Sequence, residues 1–280
     1  MRKTMIASLL LVWICGITYA QQPKQNASIQ LVRSATLVIN YGGQRILLDP
    51  MLGDKGSLGS ISGKGVTPSV DLVLPIDEIV KGLDFALVTH AHLDHFDDKA
   101  FSVLDKSLKI YCQPTDRHVF LYRSFWDTDA VIDSIVHNGV TIIRTEAQHG
   151  TGRIQKAMGE SSGYVLKAEG QPVVYIIGDG VWTQDIYNNI EKYKPDYIVV
   201  NSGGAVAKGY EATPIIMDEK QVMALVQECG NARVIAVHMD AVDHCRTTRA
   251  ILRKEADKYN VSQDKLIIPK DGETVLLEVM

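Results

Sequence analysis

Residues 89–95 read Thr-His-Ala-His-Leu-Asp-His and follow directly on the apolar run Phe85-Ala86-Leu87-Val88. A short buried strand thus ends in a loop carrying three imidazoles and a carboxylate within six positions. Such groups, crowded together, repel or desolvate one another unless a cation holds them. Alternation past the strand end turns His90 and His92 the same way, as one pair of nitrogen ligands. Asp94 and His95 follow where the loop turns and reach a second position. Paired-metal hydrolytic sites hold their ions about 3.5–4 Å apart, a span that such a loop covers. The helical His-Glu-x-x-His zinc motif is absent. The plain alternative is a set of surface histidines in a polar loop. With only eight histidines in 280 residues, three at these offsets beside an aspartate argue against it.

Further ligand types stand where other apolar runs end. The run 140–145 continues through Glu146-Ala147-Gln148 to His149, and the run 173–177 leads into Gly178-Asp179-Gly180. Residues 196–200 end at Asn201, and residues 233–237 end at His238. Between two glycines, Asp179 has the backbone room to reach into a site; its alternatives are a turn residue or the N-cap of a helix over 183–192. Alone, His149 or His238 would more often be a core or surface histidine. Their shared placement at strand ends favours a site, because ligands delivered from several strand ends are how a rigid scaffold fixes a metal pair. Asn201 is a further candidate of the same kind. His118, in an expected helix, and His137, in a hairpin turn, read as structural.

Around these points short strands and helices alternate. Strands are expected at 29–32, 35–39 and 46–48, with a Gly42-Gly43 turn and a final Asp49-Pro50. Residues 51–70, rich in Gly, Ser and Lys and without periodicity, form a long loop of the kind that is often functional. Helices follow at 75–81, 97–104 and 114–122, the last opening on Pro114. Strands at 131–136 and 140–145 meet at Asn138-Gly139, a hairpin signal. In the Gly-rich segment after His149, Arg153 and Lys156 read first as solvated loop charges, with contact to an anionic substrate as the alternative. Strands at 109–112 and 164–166, helices at 217–228 and 245–259, and strands at 265–268 and 274–279 complete the pattern.

Residues 1–20 carry Arg2 and Lys3, then an apolar core, and close on Thr18-Tyr19-Ala20. This is the pattern of a secretory signal peptide cut after Ala20, which implies a secreted or periplasmic protein. The apolar run is shorter than the roughly 20 residues a membrane span needs. Without Arg2 and Lys3, Lys+Arg falls from 29 to 27 against 33 Asp+Glu, a net charge near −6 that offers no nucleic-acid surface. Residues 21–280 lack a Pro- or Ser-rich linker and read as one domain. Cys112, Cys229 and Cys245 are odd in number and widely spaced. They read as buried small apolar residues rather than a disulfide framework, with one bridged pair as the alternative in an oxidising compartment.

The loop 89–95, followed in order by Gln148-His149, Gly178-Asp179 and Val237-His238, resembles the metallo-β-lactamase superfamily over nearly the whole mature chain. The hairpin ending at Asp49-Pro50 and the segment 74–84 resemble the branch holding ascorbate 6-phosphate lactonase-like proteins and N-acyl phosphatidylethanolamine-hydrolysing phospholipase D. The resemblance implies an α/β four-layer αββα sandwich with a dinuclear site along one edge of its two sheets. It implies that His90, His92 and His149 hold the first ion, that Asp94, His95 and His238 hold the second, and that Asp179 bridges them. Zinc serves most of the superfamily, and manganese or iron some branches; histidine and carboxylate ligands do not decide between them.

The implied chemistry is hydrolysis of a small ester, lactone or phosphodiester, anionic substrates included, by a metal-activated water, with Asp94 orienting that water or accepting its proton. His244, six residues beyond His238, is the candidate for leaving-group protonation or substrate contact. A phospholipase D-like activity on lipid head groups is the alternative, and it would want a more apolar 51–70 loop. A β-lactamase, or a metal-binding or sensory protein without turnover, are the remaining readings. Retention of all seven ligands opposes the last.

Overall fold

The central strands of this chain are near-continuous apolar runs, as at residues 85–88 and 197–200, so both faces of each are buried and each sheet is covered on both sides. The computed structural model describes residues 27–279, and the leader read at residues 1–20 lies outside them. In chain order the first half forms β1 (Ser28–Arg33), β2 (Thr36–Tyr41), β3 (Gln44–Leu48), α1 (Ile76–Val80), β4 (Phe85–Val88), α2 (Asp98–Val103), β5 (Lys109–Cys112), α3 (Arg117–Tyr122), β6 (Thr128–Ala130) and β7 (Ser134–His137). The second half forms β8 (Val140–Ala147), α4 (Arg153–Met158), β9 (Ser161–Lys167), β10 (Val174–Ile176), α5 (Gln184–Tyr193), β11 (Tyr197–Asn201), α6 (Glu219–Glu228), β12 (Arg233–Val237), α7 (Arg249–Lys258), β13 (Leu266–Ile267) and β14 (Thr274–Leu276).

Two sheets result, with strand orders β14-β1-β2-β3-β4-β5-β6 and β13-β12-β11-β10-β9-β8-β7. Leu37 and Ile39 of β2, Phe85 and Leu87 of β4, Tyr197 and Val199 of β11, and Ile235 and Val237 of β12 meet in one core between the sheets. Their even-numbered neighbours in the pleat point outward. Val38, Ala86 and Val88 pack under α1, α2 and α3 through Ile79, Phe101 and Phe120. Ile198, Val200, Val234 and Ala236 pack under α5, α6 and α7 through Ile186, Ile190, Val222, Val226 and Leu252. The fold is therefore a four-layer αββα sandwich. Burying each such Leu, Ile, Val or Phe side chain is worth about 1.5–3 kcal/mol. Cys112 and Cys229 lie in the two different outer cores.

Strand direction places the site. β3, β4, β5 and β6 are parallel to one another. β10, β11 and β12 are also parallel, and β8 shares their direction because β9 runs antiparallel to both β8 and β10. The C-terminal ends of β3 and β4 in one sheet, and of β8, β10, β11 and β12 in the other, carry the residues described below.

Several boundaries differ from the sequence reading, each for a local reason. The strand expected at 131–136 is β7, Ser134–His137, because Val131 leaves the strand to fill the inter-sheet core. The Gly-rich segment after His149 contains the helix α4, with Ile154 buried against Ala205, Ile215 and Ile216. The helix expected from 245 begins at Arg249, since Thr248 is its N-cap and accepts from Ile251 N. Residues 246 and 247 instead donate their backbone N–H groups to Gly203 O. Residues 51–70 contain no helix or regular strand. The loop is tied down by the fully buried Arg33, whose guanidinium donates to the carbonyls of Met51 and Gly53 at 2.8 Å and of Val70 at 3.0 Å.

Candidate metal centre

The loop 89–95 is fixed at both ends. Asp49, at the end of β3, accepts from Thr89 N at 2.8 Å and from Thr89 Oγ1 at 2.7 Å. Beyond the loop Phe96 enters an aromatic cluster, with ring centroids 4.5 Å from Phe101 and 5.0 Å from Phe120. Between these anchors, His95 N and Phe96 N both donate to His92 O, which closes one tight turn. Asp116 Oδ2 accepts from Ala91 N at 2.7 Å, so the turn cannot swing away from the sheet edge.

All seven residues that the sequence singled out as ligands converge here. Three groups have ligand atoms within 4.8 Å of one another: His90, His92 and His149; His90, His95 and Asp179; and Asp94, His95 and His238. Asp179 stands between them. Its Oδ2 lies 3.3 Å from His95 Nε2, 3.4 Å from His149 Nε2 and 3.8 Å from His90 Nε2, while Oδ1 lies 3.8 Å from His238 Nε2. Gly178 makes this reach possible. Its φ is +74°, and a Cβ there would meet Ser162 O at 2.4 Å. The N-cap of α5 is Thr183, which leaves Asp179 free of that task.

Hydrogen bonds at the far side of each ring fix which nitrogen faces inward. His149 Nδ1–H donates to Ile215 O at 2.9 Å. His95 Nδ1–H donates to Asp49 Oδ2 at 2.8 Å. The only proton of Thr89 Oγ1 goes to Asp49, so Thr89 accepts from His90 Nδ1–H at 3.1 Å. Three Nε2 lone pairs therefore point at one buried carboxylate, an arrangement that holds only with positive charge between them. Other ring nitrogens also face each other, His90 Nε2 and His92 Nδ1 at 2.9 Å and His95 Nε2 and His238 Nε2 at 3.1 Å. Divalent cations fit this donor set, and protons take their place without them. Burial alone would lower His95, but Asp179 and Asp49 push it well above the ordinary histidine range. Burial alone would raise Asp179, yet His95, His238 and His149 hold it well below the ordinary carboxylate range.

Sequence reading named Asn201 among the strand-end candidates but missed Asp49. Asp49 orients His95 directly and His90 through Thr89, and its signal was a carboxylate at the end of an apolar strand, as for Asp179. Asn201 donates to Asp179 Oδ1 at 2.6 Å, so it steers that carboxylate. His238 adopts φ +63°, a left-handed conformation that is costly outside glycine. A Cβ on Gly203 would meet His238 O at 2.3 Å, so the two strand ends approach as closely as backbone allows.

The remaining candidates separate. His244 is 8% exposed, with its Nδ1 buried and unpartnered. Cys245, beside it, places Sγ 3.7 Å from His238 Nδ1. Arg153 and Lys156 are exposed on α4. His118 is exposed and bonds Thr115 O, while His137 packs on Phe85 and bonds Tyr111. Among the described residues no helix is long and apolar enough to cross a membrane.

Comparison with known proteins agrees with this geometry. Residues 44–239 match the family profile of the β-lactamase superfamily domain. UPF0173 protein YddR of Bacillus subtilis is 32% identical over 253 residues, which cover 88% of this chain and 98% of that protein. The crystal structure of a possible metal-dependent hydrolase from Veillonella parvula superposes with a TM-score of 0.86 at 32% identity, covering 90% of this chain and all of the other. Isothiocyanate hydrolase from Delia radicum gut bacteria superposes with a TM-score of 0.83 at 31% identity, again over 90% and 100% of the two chains.

Proposed function

This chain belongs to the β-lactamase superfamily and, within it, to the UPF0173 group of metal-dependent hydrolases, and from that premise we propose that it is a hydrolase working with two divalent ions, most simply zinc. The observation that carries the reading is the convergence of three Nε2 lone pairs on the buried Asp179 carboxylate. His90, His92 and His149 would hold one ion and Asp94, His95 and His238 the other, with Asp179 standing between the two groups. Bound divalent ions supply Lewis acidity and lower the pKa of a coordinated water to about 7.

The chain's own residues do the rest. Asp94 Oδ2 lies 3.6 Å from His238 Nε2. Burial alone would raise its pKa, but His95, His238 and His244 lower it, so it stays ionised as an acceptor that orients the attacking water. His244, buried with Nδ1 unpartnered, would serve to touch the substrate or to protonate the leaving group. Asp49 and Asn201 keep His95 and Asp179 in register during the reaction. The signal-peptide pattern at residues 1–20 supports a secreted or periplasmic location.

Two substrate classes follow. A small ester, lactone or phosphodiester offers a carbon or phosphorus open to water. An isothiocyanate is the second, favoured by the likeness to isothiocyanate hydrolase over that protein's full length. There water adds across C=N of R–N=C=S, its oxygen to carbon and a proton to nitrogen. The C–N bond then breaks, the nitrogen takes the second proton, and R–NH2 and COS leave.

The test is elemental analysis of the purified protein, paired with hydrolysis of an aryl ester, a lactone, an aryl phosphodiester, a β-lactam and an aralkyl isothiocyanate, each with and without chelator. Two ions per chain and turnover that chelator and His92→Ala both abolish are expected. Metal without turnover on any panel member would favour a metal-binding protein, and absence of metal would overturn the site. Mass analysis of exported protein checks cleavage after Ala20.

A further inference from the structure

Beside the cluster lies a pocket of about 250 Å³ whose wall comes from three loops: Lys64 from one, Lys208 and Glu211 from a second, and Asp243, His244 and Arg246 from a third. Its charges do not cancel by pairing. Asp243 is occupied by five donors of the first loop: Ser60 Oγ at 2.6 Å, Ile61 N at 3.1 Å, Ser62 N at 3.1 Å, Ser62 Oγ at 2.9 Å and Thr67 Oγ1 at 3.0 Å. Glu211 is exposed and accepts from Gly209 N at 3.0 Å. Among the described residues no carboxylate lies within 4.0 Å of the charged nitrogens of Lys64, Lys208 or Arg246. Arg246 spends one N–H on the carbonyl of Glu211, at 2.6 Å, which holds its guanidinium at the wall and leaves its other donors free.

The pocket also opens on a group that wants a partner. His244 is more than nine-tenths buried, yet its Nδ1 has no hydrogen-bond partner, a state that ordinarily costs about 1–3 kcal/mol. Val206 N donates to His244 O at 3.2 Å and so ties the second loop to the third. The residue after His244 touches His238 of the metal cluster through Sγ. The pocket and the cluster are thus neighbours, joined through His244 and Cys245.

We propose that this pocket is the recognition subsite for an oxyanion, a carboxylate or phosphate, on the far end of the substrate, bound by Lys64, Lys208 and Arg246 with His244 as the buried contact. The inference rests on the hydrolase reading of the adjacent cluster and adds the substrate's charge to it. Arg246 supplies the forked donors that suit a carboxylate or phosphate, and the lysines supply field. Because the cations are exposed at their tips, the preference weakens as salt rises.

The experiment compares two aryl esters on the metal-loaded protein, 4-nitrophenyl acetate and 4-nitrophenyl hydrogen succinate, which differ by a distal carboxylate. The wild type is expected to prefer the charged ester in kcat/KM by about tenfold, each such contact being worth about that factor. Lys208→Ala with Arg246→Ala should bring the ratio toward one, and Arg246→Lys should retain much of it. A ratio near one in the wild type, or an unchanged ratio in the double variant, overturns the proposal. If neither ester is cleaved, the ester reading of the cluster fails on its own, and calorimetric titration with succinate and with inorganic phosphate still decides the pocket. Binding weakened about tenfold in the double variant, whose metal ligands are intact, supports it. No binding to the wild type, or equal binding to both proteins, overturns it.

Discussion

The loop 89–95 and the pocket wall face the same cluster but are built in opposite ways. The loop delivers four ligand groups from one stretch of chain, held by its own turn, by Asp49 and by Phe96. The wall is assembled from residues far apart in sequence, and Ser60 meets Asp243 across 183 positions. The candidate ligand set is therefore carried by a local signal, whereas the proposed recognition subsite exists only after folding. Substitutions in the two regions should fail differently, the first by losing metal, the second by losing preference or loop order.

The largest effect is expected at the centre of the cluster. Asp179→Ala removes the carboxylate on which three Nε2 lone pairs converge. Metal content should fall and turnover should drop to background, while the four-layer fold persists by circular dichroism, because both sheets are held by apolar cores that Asp179 does not enter. A variant that kept its full metal complement would break the contrast.

Next comes Arg33, which ties the long loop to the sheet rather than to the metal. Arg33→Ala leaves the carbonyls of Met51, Gly53 and Val70 without their donor. A loss of about 3–5 kcal/mol in unfolding free energy is expected, by analogy with removing one side of a buried charged contact. Denaturant titration checks it, and a loss below about 1 kcal/mol would show that the loop is held elsewhere.

Asp49→Asn should act more gently. The amide keeps the shape but cannot accept from Thr89 N, Thr89 Oγ1 and His95 Nδ1 as the carboxylate does. Metal affinity should weaken by about 10–100-fold, the usual effect of removing an orienting partner behind a ligand. Competition with a chelator of known affinity measures it.

These three cases also show how far the sequence could be read. The candidate ligand positions were legible because histidines at the ends of apolar runs are local patterns, as at Val88-Thr89-His90 and Val237-His238, whereas the four layers followed from the family resemblance that those motifs carry. Asp49 was visible only as a hairpin end, since what it does depends on Thr89 and His95 arriving from another strand. The start of α7 was misplaced by four residues, because the helical propensity of 245–248 yields to contacts with Gly203 and to the Thr248 cap. The helix α4 was hidden by its flanking glycines, and Arg33 looked like an ordinary strand-end cation although it is fully buried.

The smallest expected effect concerns Asp243, where the pocket wall is stitched together. Burial would raise its carboxyl, but the donors from Ser60, Ser62 and Thr67 hold it at about 2, below the ordinary 3.8. A carboxylate depressed in the folded state contributes stability above its unfolded pKa and loses it as pH falls through the folded one. The contribution of Asp243 should therefore be complete above about pH 5 and fade between about pH 4 and 2. Asp94 and Asp179 of the metal cluster are held low as well, so the wild type alone does not isolate it. Comparison with Asp243→Asn does, because both proteins share the cluster and only one carries this carboxylate. Limited proteolysis of residues 60–67 should distinguish the two proteins near neutral pH, with the variant cut faster, and should cease to distinguish them at the acid end. A difference that persisted undiminished at about pH 2 would mean that the wall is ordered by its backbone contacts, such as the Gly59–Thr67 bridge, and not by the carboxylate.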